Sequence, residues 1–161
     1  TKTKAKFEKV PEDSTLRSQV EAEEKFNLFD SYDSKNSLGD FLFYSPIKGI
    51  VTEGFNPKEN HFGMDIVAKE NSIIKATLAG TVAFSTWTSE TGNVIAILHG
   101  NNLFSVYKHN SILLKKEGAT VKAGEAIAII GNSGKWSSGP HLHFELWQNG
   151  TAINPEQYIL F

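Results

Sequence analysis

From Phe41 onward the sequence is a succession of short runs rich in β-branched and aromatic residues, separated by Gly, Asn and Pro. Short runs of this composition between turn-forming residues are typical of β-strands. No helical spacing intervenes, so the sequence predicts a mainly β fold with a compact antiparallel core, sandwich or barrel-like. The predicted strands are Ile50–Glu53, Asp65–Val67, Ile74–Ala76, Gly80–Thr86, Val94–Leu98, Phe104–His109, Ala126–Ile130 and His141–Trp147.

The remaining segments follow other patterns. Residues 1–40 combine a polar, Lys-rich start, a predicted helix over Ser14–Phe29 with Asp13 or Ser14 as its cap, and a linker rich in Ser, Asp and Asn. We therefore predict an N-terminal tail, helix and linker at residues 1–40 and a β-domain at residues 41–161. His99–Asn102 is predicted to be a hairpin turn, and Pro155 is predicted to begin a helical turn near the C-terminus.

Composition excludes several classes of protein. The chain has 161 residues, enough for one domain, and its formal charge of −2 without a basic cluster argues against nucleic acid as a partner. It contains no Cys, which excludes disulfides, Cys-ligated metals and a thiol nucleophile. No apolar run reaches the roughly 18–20 residues of a membrane helix. Because the sequence begins at Thr1 rather than Met, we expect a targeting or anchor segment upstream.

The chain's five histidines include two pairings that suit a metal. Alternate residues of a strand share a face, so His141 and His143 are predicted to stand side by side. His61 and Asp65, four residues apart, also share a face if their segment is extended. These two with one histidine of the His141–His143 pair would form a three-ligand site with a fourth position free for water, as in catalytic zinc sites.

Such a site also needs a proton carrier, because zinc activates water and polarises a carbonyl but does not itself shuttle protons. The sequence has no HExxH motif, so a further histidine is expected to do this work. The candidates are His109 and whichever of His141 and His143 is not a ligand. We assign His99 no chemistry, as a turn residue. Glu145 lies on the same strand face as His143 and would suit an orienting role, but we expect an ordinary surface or packing role for it.

Alternatives without a metal have less support in the sequence. There is no GxSxG motif to present a nucleophilic serine, and the Gly-rich run Gly131–Gly139 lacks the GKS or GKT ending of a phosphate loop. The runs AGTVAF and VKAGEAIAIIG resemble a biotin- or lipoyl-carrier domain. However, the hairpin tip at His99–Asn102 carries no lysine to be modified.

Three motifs together resemble the M23 family of zinc metallopeptidases, of the lysostaphin/LytM type. HFGMD, at His61–Asp65, matches the family's H-x-G-x-D. VYKHNS, at Val106–Ser111, resembles its Y-x-H-x-S element, and GNSGKWSSGPHLHFEL, at Gly131–Leu146, resembles its G-P-H-L-H-F-E block. The order and spacing also fit, and the resemblance covers roughly Tyr44–Phe161.

The resemblance implies a role for each motif residue. His61, Asp65 and His143 would bind one Zn²⁺ per chain, and water would complete its coordination. His141 would be catalytic, with His109 as its partner across the cleft, and the pair would activate water and stabilise the tetrahedral intermediate. Which of the two is the general base is left open. The family fold, a compact antiparallel β-domain, agrees with the strand pattern.

The resemblance also implies a substrate and a location. Family members cut peptide bonds of bacterial cell-wall peptidoglycan, either glycine-rich cross-bridges or D-amino-acid cross-links, so peptidoglycan peptides are the expected partner and the cell envelope the expected location. Some members have lost ligands and only activate other wall hydrolases. This chain retains all five motif residues, which favours an active enzyme. The alternative is a silent or occluded domain that binds or activates other hydrolases.

Overall fold

Antiparallel strand pairing accounts for nearly all the secondary structure of residues 41–132 and 139–161, the part of the chain that the computed structural model describes. Two short 3₁₀ turns, Pro57–Glu59 and Pro155–Gln157, complete it. The strands, numbered in chain order, are β1 Ile50–Glu53, β2 Met64–Val67, β3 Ile73–Lys75, β4 Gly80–Thr88, β5 Gly92–Leu98, β6 Leu103–Leu113, β7 Thr120–Val121, β8 Ala126–Ile130, β9 His141–Gln148 and β10 Thr151–Ile153.

The strand order places β9 between β2 and β6. The main path of the ten-stranded sheet runs β1-β2-β9-β6-β5-β4-β7, with β10 paired to β9 and β8 paired to both β3 and β6. All of these pairs are antiparallel. The strand that contains HLH is therefore flanked on one side by the strand that follows HFG and on the other by the strand that contains YKH.

Alternation along β9 separates two apolar clusters. Leu142, Phe144 and Leu146 point into the larger core with residues such as Ile66 and Tyr107. Trp147, on the opposite face, belongs to a smaller cluster. His141 and His143 share the face of Trp147, because alternate residues of a strand point the same way. The smaller cluster consists of Phe84, Val94, Ala96, Phe104, Val106 and Trp147.

The antiparallel β fold predicted from the sequence is confirmed, and every predicted strand is present with ends displaced by at most a few residues. The sequence pattern missed β7 and β10, which are too short to show alternation. The predicted turn at His99–Asn102 joins β5 to β6, with Asn101 and Asn102 in the left-handed region. The predicted C-terminal turn begins at Pro155, and Asn154 caps it. The helix and linker predicted in residues 1–40 lie outside the described residues.

Gly63 allows the segment before β2 to lie directly against β9. A Cβ at this position would overlap the carbonyl oxygen of Phe144 and lie 2.7 Å from Cγ of Glu145 and 2.9 Å from Nε2 of His143. These neighbours belong to backbone or to buried side chains and have little room to move. The glycine of HFGMD is therefore required by close packing.

We predict that Gly63→Ala lowers the free energy of unfolding by about 1–3 kcal/mol, because the added methyl group overfills this contact. Urea unfolding measures the change. Gly100→Ala is the matched control, since its Cβ would meet only Cζ of Phe41, at 4.0 Å. The control is expected to change stability by about 0.5 kcal/mol or less. Equal stability of the two variants would contradict the packing argument.

Candidate metal centre

The pairing of β2 with β9 brings three potential metal ligands together. Asp65 lies directly opposite His143 in the ladder, and His61 lies on the segment that enters β2. Nε2 of His61 is 3.2 Å from Oδ2 of Asp65, and Nδ1 of His143 is 2.7 Å from Oδ1. One ligand atom from each of the three residues lies within 4.8 Å of the other two. The structure thus brings these three residues together, and their binding of one metal ion stays a prediction.

The second nitrogen of each histidine has its own hydrogen-bond acceptor. His61 donates from Nδ1 to the carbonyl oxygen of Gly54 over 2.6 Å. His143 donates from Nε2 to Oε2 of Glu145 over 2.7 Å. The nitrogens that remain, Nε2 of His61 and Nδ1 of His143, both face Asp65. Histidines that bind metals are held in this way by a carbonyl or carboxylate at the other nitrogen, so the residues fit a divalent cation with two nitrogen ligands and one oxygen ligand.

Electrostatics at this position favour positive charge. Burial alone would raise the pKa of Asp65, but the hydrogen bond from His143 and the charges of the surrounding histidines lower it below its usual range. Burial alone would lower the pKa of His143, but hydrogen bonds to Asp65 and Glu145 raise it to about 9. The carboxylates on both sides of His143 therefore favour positive charge at this point, whether it is carried by a proton or by a bound cation.

His109 and His141 form a separate pair beside these three residues. Their ring centroids are 5.0 Å apart, and the ring of His109 lies 6.2 Å from that of His143. A backbone bridge between Gly131 and His141 holds the start of β9. His141 donates from Nδ1 to the carbonyl oxygen of Gly139 over 3.2 Å. All five predicted site residues thus lie at one end of the sheet, although the role of each stays a prediction.

The backbone at His109 adopts an uncommon conformation. Its φ of 67° lies in the left-handed region, which few residues other than glycine, asparagine, aspartate and histidine adopt. Its amide N–H donates to the carbonyl oxygen of Thr91 over 2.8 Å, which fixes this turn of the chain. Among the described residues, its buried Nδ1 has no hydrogen-bond partner. Burial, and then the charges of His143 and His141, lower its pKa to about 4, so His109 is neutral near pH 7.

A cavity of about 240 Å³ adjoins the site. It lies between the segment that leads into β2 and the turn between β4 and β5, and it reaches the imidazoles of His109 and His143. The lining residues are Asn60, Phe62, Glu90, Thr91, Lys108, His109, His143 and Glu145.

Glu145 was predicted to have an ordinary surface or packing role, and the surface part of that prediction is wrong. Its carboxylate is buried, accepts from His143 and forms an ion pair with Lys108. The position two residues beyond His143 was the signal for contact with that histidine. Sequence reasoning missed Lys108, because a lysine between Tyr107 and His109 carries no signal of burial.

His99 belongs to a buried hydrogen-bond chain away from the five site residues. It donates from Nδ1 to the carbonyl oxygen of Ala79 over 2.7 Å, and its Nε2 accepts from Oγ of Ser105 at 2.7 Å. That hydroxyl lies 2.8 Å from Oη of Tyr107, which accepts from the amide of Thr77 over 3.0 Å. These hydrogen bonds occupy both nitrogens of His99 in the interior, and the absence of chemistry at His99 stays a prediction.

The burial of His99 makes the stability of the fold pH-dependent. Burial lowers the pKa of His99 to about 4, although the hydrogen bond to the carbonyl of Ala79 acts in the opposite direction. In the unfolded chain the same imidazole has a pKa of about 6.5. Between these values the unfolded chain binds more protons, so the free energy of unfolding falls as pH drops from about 6.5 towards 4.

We predict that His99→Gln removes this contribution. Between pH 7 and about pH 4, the variant should lose about 3 kcal/mol less unfolding free energy than the unchanged protein. Urea unfolding at a series of pH values measures the difference. Because the test compares how stability changes with pH, it remains valid if the variant is less stable at every pH. Parallel profiles of unfolding free energy against pH would contradict the role given to His99.

The chain belongs to peptidase family M23. The model of that family matches residues 59–155, more than half of the chain and the part that holds all five site residues. This result agrees with the fold and with the residue set, and it excludes the carrier-domain alternative. No helix of the described residues is long and apolar enough to cross a membrane.

Three similar proteins place the chain within this family. It is 36% identical over 116 residues to the murein hydrolase activator NlpD of Escherichia coli, covering 71% of this chain and 30% of that protein. It is 36% identical over 100 residues to the DD-carboxypeptidase/endopeptidase Mpg of Neisseria meningitidis, covering 62% of this chain and 23% of that protein. A solved zinc-containing peptidase of Vibrio cholerae superposes with a TM-score of 0.66 at 28% identity, covering 75% of this chain and 40% of that one. The chain therefore spans less than a third of either curated relative.

Proposed function

We propose that this chain is a zinc metalloendopeptidase that hydrolyses peptide cross-links or stem peptides of bacterial cell-wall peptidoglycan. The observation that carries the proposal is the juxtaposition of three potential ligands with two further histidines. His61, Asp65 and His143 would hold the metal, and His109 and His141 lie beside them with ring centroids 5.0 Å apart. A metal site that only stabilised the fold would not need His109 and His141 beside its ligands.

Each residue has a defined task in this proposal. Zinc held by the three ligands would supply Lewis acidity, which makes water more acidic and polarises a peptide carbonyl. His109 is neutral near pH 7, and His141 stands across from it. The pair would activate the water and stabilise the tetrahedral intermediate. We leave open which of the two is the general base. The cavity beside His109 and His143 would receive one side of the substrate peptide.

The named relatives support two outcomes. The similarity to the endopeptidase Mpg favours an enzyme, and the similarity to the Vibrio zinc-containing peptidase favours zinc as the cation. The similarity to NlpD favours the second candidate, a domain that activates other wall hydrolases. The intact set of five site residues favours the enzyme. Murein is the substrate of the first candidate and of the hydrolases that the second would activate, so we propose a location in the cell envelope, with residues 1–40 as an extension of the peptidase domain at 41–161.

We predict that the purified chain releases peptide-cleaved fragments from isolated peptidoglycan and that a chelator abolishes the release. Mass analysis of the fragments identifies the bond that is cut. Release that persists with a chelator would contradict a metallopeptidase. Absence of release from a chain with bound zinc would favour the activator or an occluded site, and removal of residues 1–40 separates those two.

We predict that Asp65→Ala and His143→Ala each lower zinc content, because each removes one of three protein ligands. His141→Ala should keep zinc and lose turnover by about 10²–10⁴-fold, as expected for a proton-transfer group. Elemental analysis gives zinc per chain, and circular dichroism checks that each variant is folded. His141→Ala is the matched control for His143→Ala, since both remove an imidazole from the same face of β9. Full zinc occupancy in Asp65→Ala and His143→Ala would overturn the ligand assignment.

A further inference from the structure

A buried ion pair lies directly beneath the proposed metal centre. Nζ of Lys108, on β6, is 2.9 Å from Oε2 of Glu145, on β9, and their side chains are 4% and 3% exposed. Lys108 lies opposite His143 in the β6–β9 ladder. Taking two charges out of water is costly, and apolar residues of similar size often stabilise a fold as well as a buried ion pair does. Stability alone is therefore a weak explanation of this pair.

Hydrogen bonds to Glu145 connect the pair to the metal centre. Oε2 accepts from Nζ of Lys108 and, over 2.7 Å, from Nε2 of His143. Oε1 accepts from the indole N–H of Trp147 over 2.8 Å. Both carboxylate oxygens are thus engaged, and the lysine and the histidine share one of them. Rotation of the carboxylate would weaken contacts to all three donors at once.

Close packing holds the same group from the side of β2. The backbone at Gly63 passes so near that a Cβ there would lie 2.7 Å from Cγ of Glu145 and 2.9 Å from Nε2 of His143. The neighbouring Phe62 stacks on Trp147, with ring centroids 6.4 Å apart and planes inclined by 30°. Glu145 is therefore fixed by packing, by two hydrogen-bond donors and by one cation.

We infer that Lys108 is a positioning residue of the metal centre, which holds the carboxylate of Glu145 in the orientation that accepts from Nε2 of His143 and so directs Nδ1 of His143 at the cation. The inference rests on the proposed function, because it takes His143 to be a ligand. Lys108 carries a positive charge of its own and would not be a ligand of the cation. Its effect passes through Glu145 and then through His143.

Loss of Lys108 removes the cation that shares Oε2 with His143. The carboxylate is then free to turn towards Trp147 or to draw in water, and the imidazole of His143 loses its fixed orientation. Changes to residues that orient a metal ligand typically weaken metal binding by about 10–100-fold. We expect a loss of that size in Lys108→Met, where methionine keeps much of the length of lysine and removes its charge.

The experiment measures zinc affinity in solution by competition with a chromophoric chelator, independently of catalysis. The proteins are the unchanged chain, Lys108→Met, Glu145→Gln and the double variant. Each single variant should bind zinc about 10–100-fold more weakly than the unchanged chain. The double variant should bind no more weakly than Glu145→Gln, because Lys108 acts only through Glu145. Lys115→Met is the matched control, since it removes a lysine from the more exposed ion pair with Glu125 and should leave zinc affinity unchanged.

Each other outcome is decisive. Unchanged affinity in folded Lys108→Met, while the unchanged chain binds zinc, overturns the inference and leaves the proposed function intact. Absence of zinc binding by the unchanged chain overturns the metal centre and the inference together. If Lys108→Met does not fold, Lys108→Gln decides, because its neutral amide can still donate to the buried carboxylate of Glu145 but supplies no cation. Weaker zinc binding by folded Lys108→Gln supports the inference, and unchanged affinity overturns it.

Discussion

The antiparallel pairing of β9 with β2 on one side and with β6 on the other is the constraint on which the rest of the structure depends. It aligns Asp65 with His143 and Lys108 with His143 in two ladders that meet at one residue. A slip of either ladder by one residue would turn every affected side chain to the opposite face. The apolar residues Leu142, Phe144 and Leu146 oppose such a slip, since they would leave the larger core. Packing of the core thus fixes the strand register, and the register fixes which side chains meet at the candidate site.

Much of the fold was predictable because its strands are short, apolar on at least one face and bounded by turn residues. The pairing of Asp65 with His143, 78 residues apart, was not predictable from spacing, because a strand pattern does not name its neighbours. The five site residues emerged from motif order. The burial of Glu145 and Lys108 was not predicted, since it depends on a contact between residues 37 positions apart. The left-handed backbone of His109 was not predictable from the sequence, because histidine can adopt this conformation but does not require it.

The environment differs sharply between histidines of this one domain. His99 is buried with a carbonyl and a hydroxyl as partners, and its pKa is lowered to about 4. His143 is largely buried as well, but two carboxylates raise its pKa to about 9. The difference follows from the charge of the neighbours rather than from depth in the fold. An imidazole within one sheet can therefore serve as a neutral interior group or as a member of a cation site, according to which residues its strand faces.

The position of Asp65 opposite His143 also bears on the unfolded chain. The two residues are 78 positions apart, and the sequence contains no cysteine with which to form a covalent bridge. A cation held by β2 and β9 at once would close that long loop as a disulfide does, and it would do so only when the ligands are correctly paired. In such a chain the metal centre would also act as a reversible cross-link. The concentration of the ion would then affect both the catalytic activity and the free energy of unfolding.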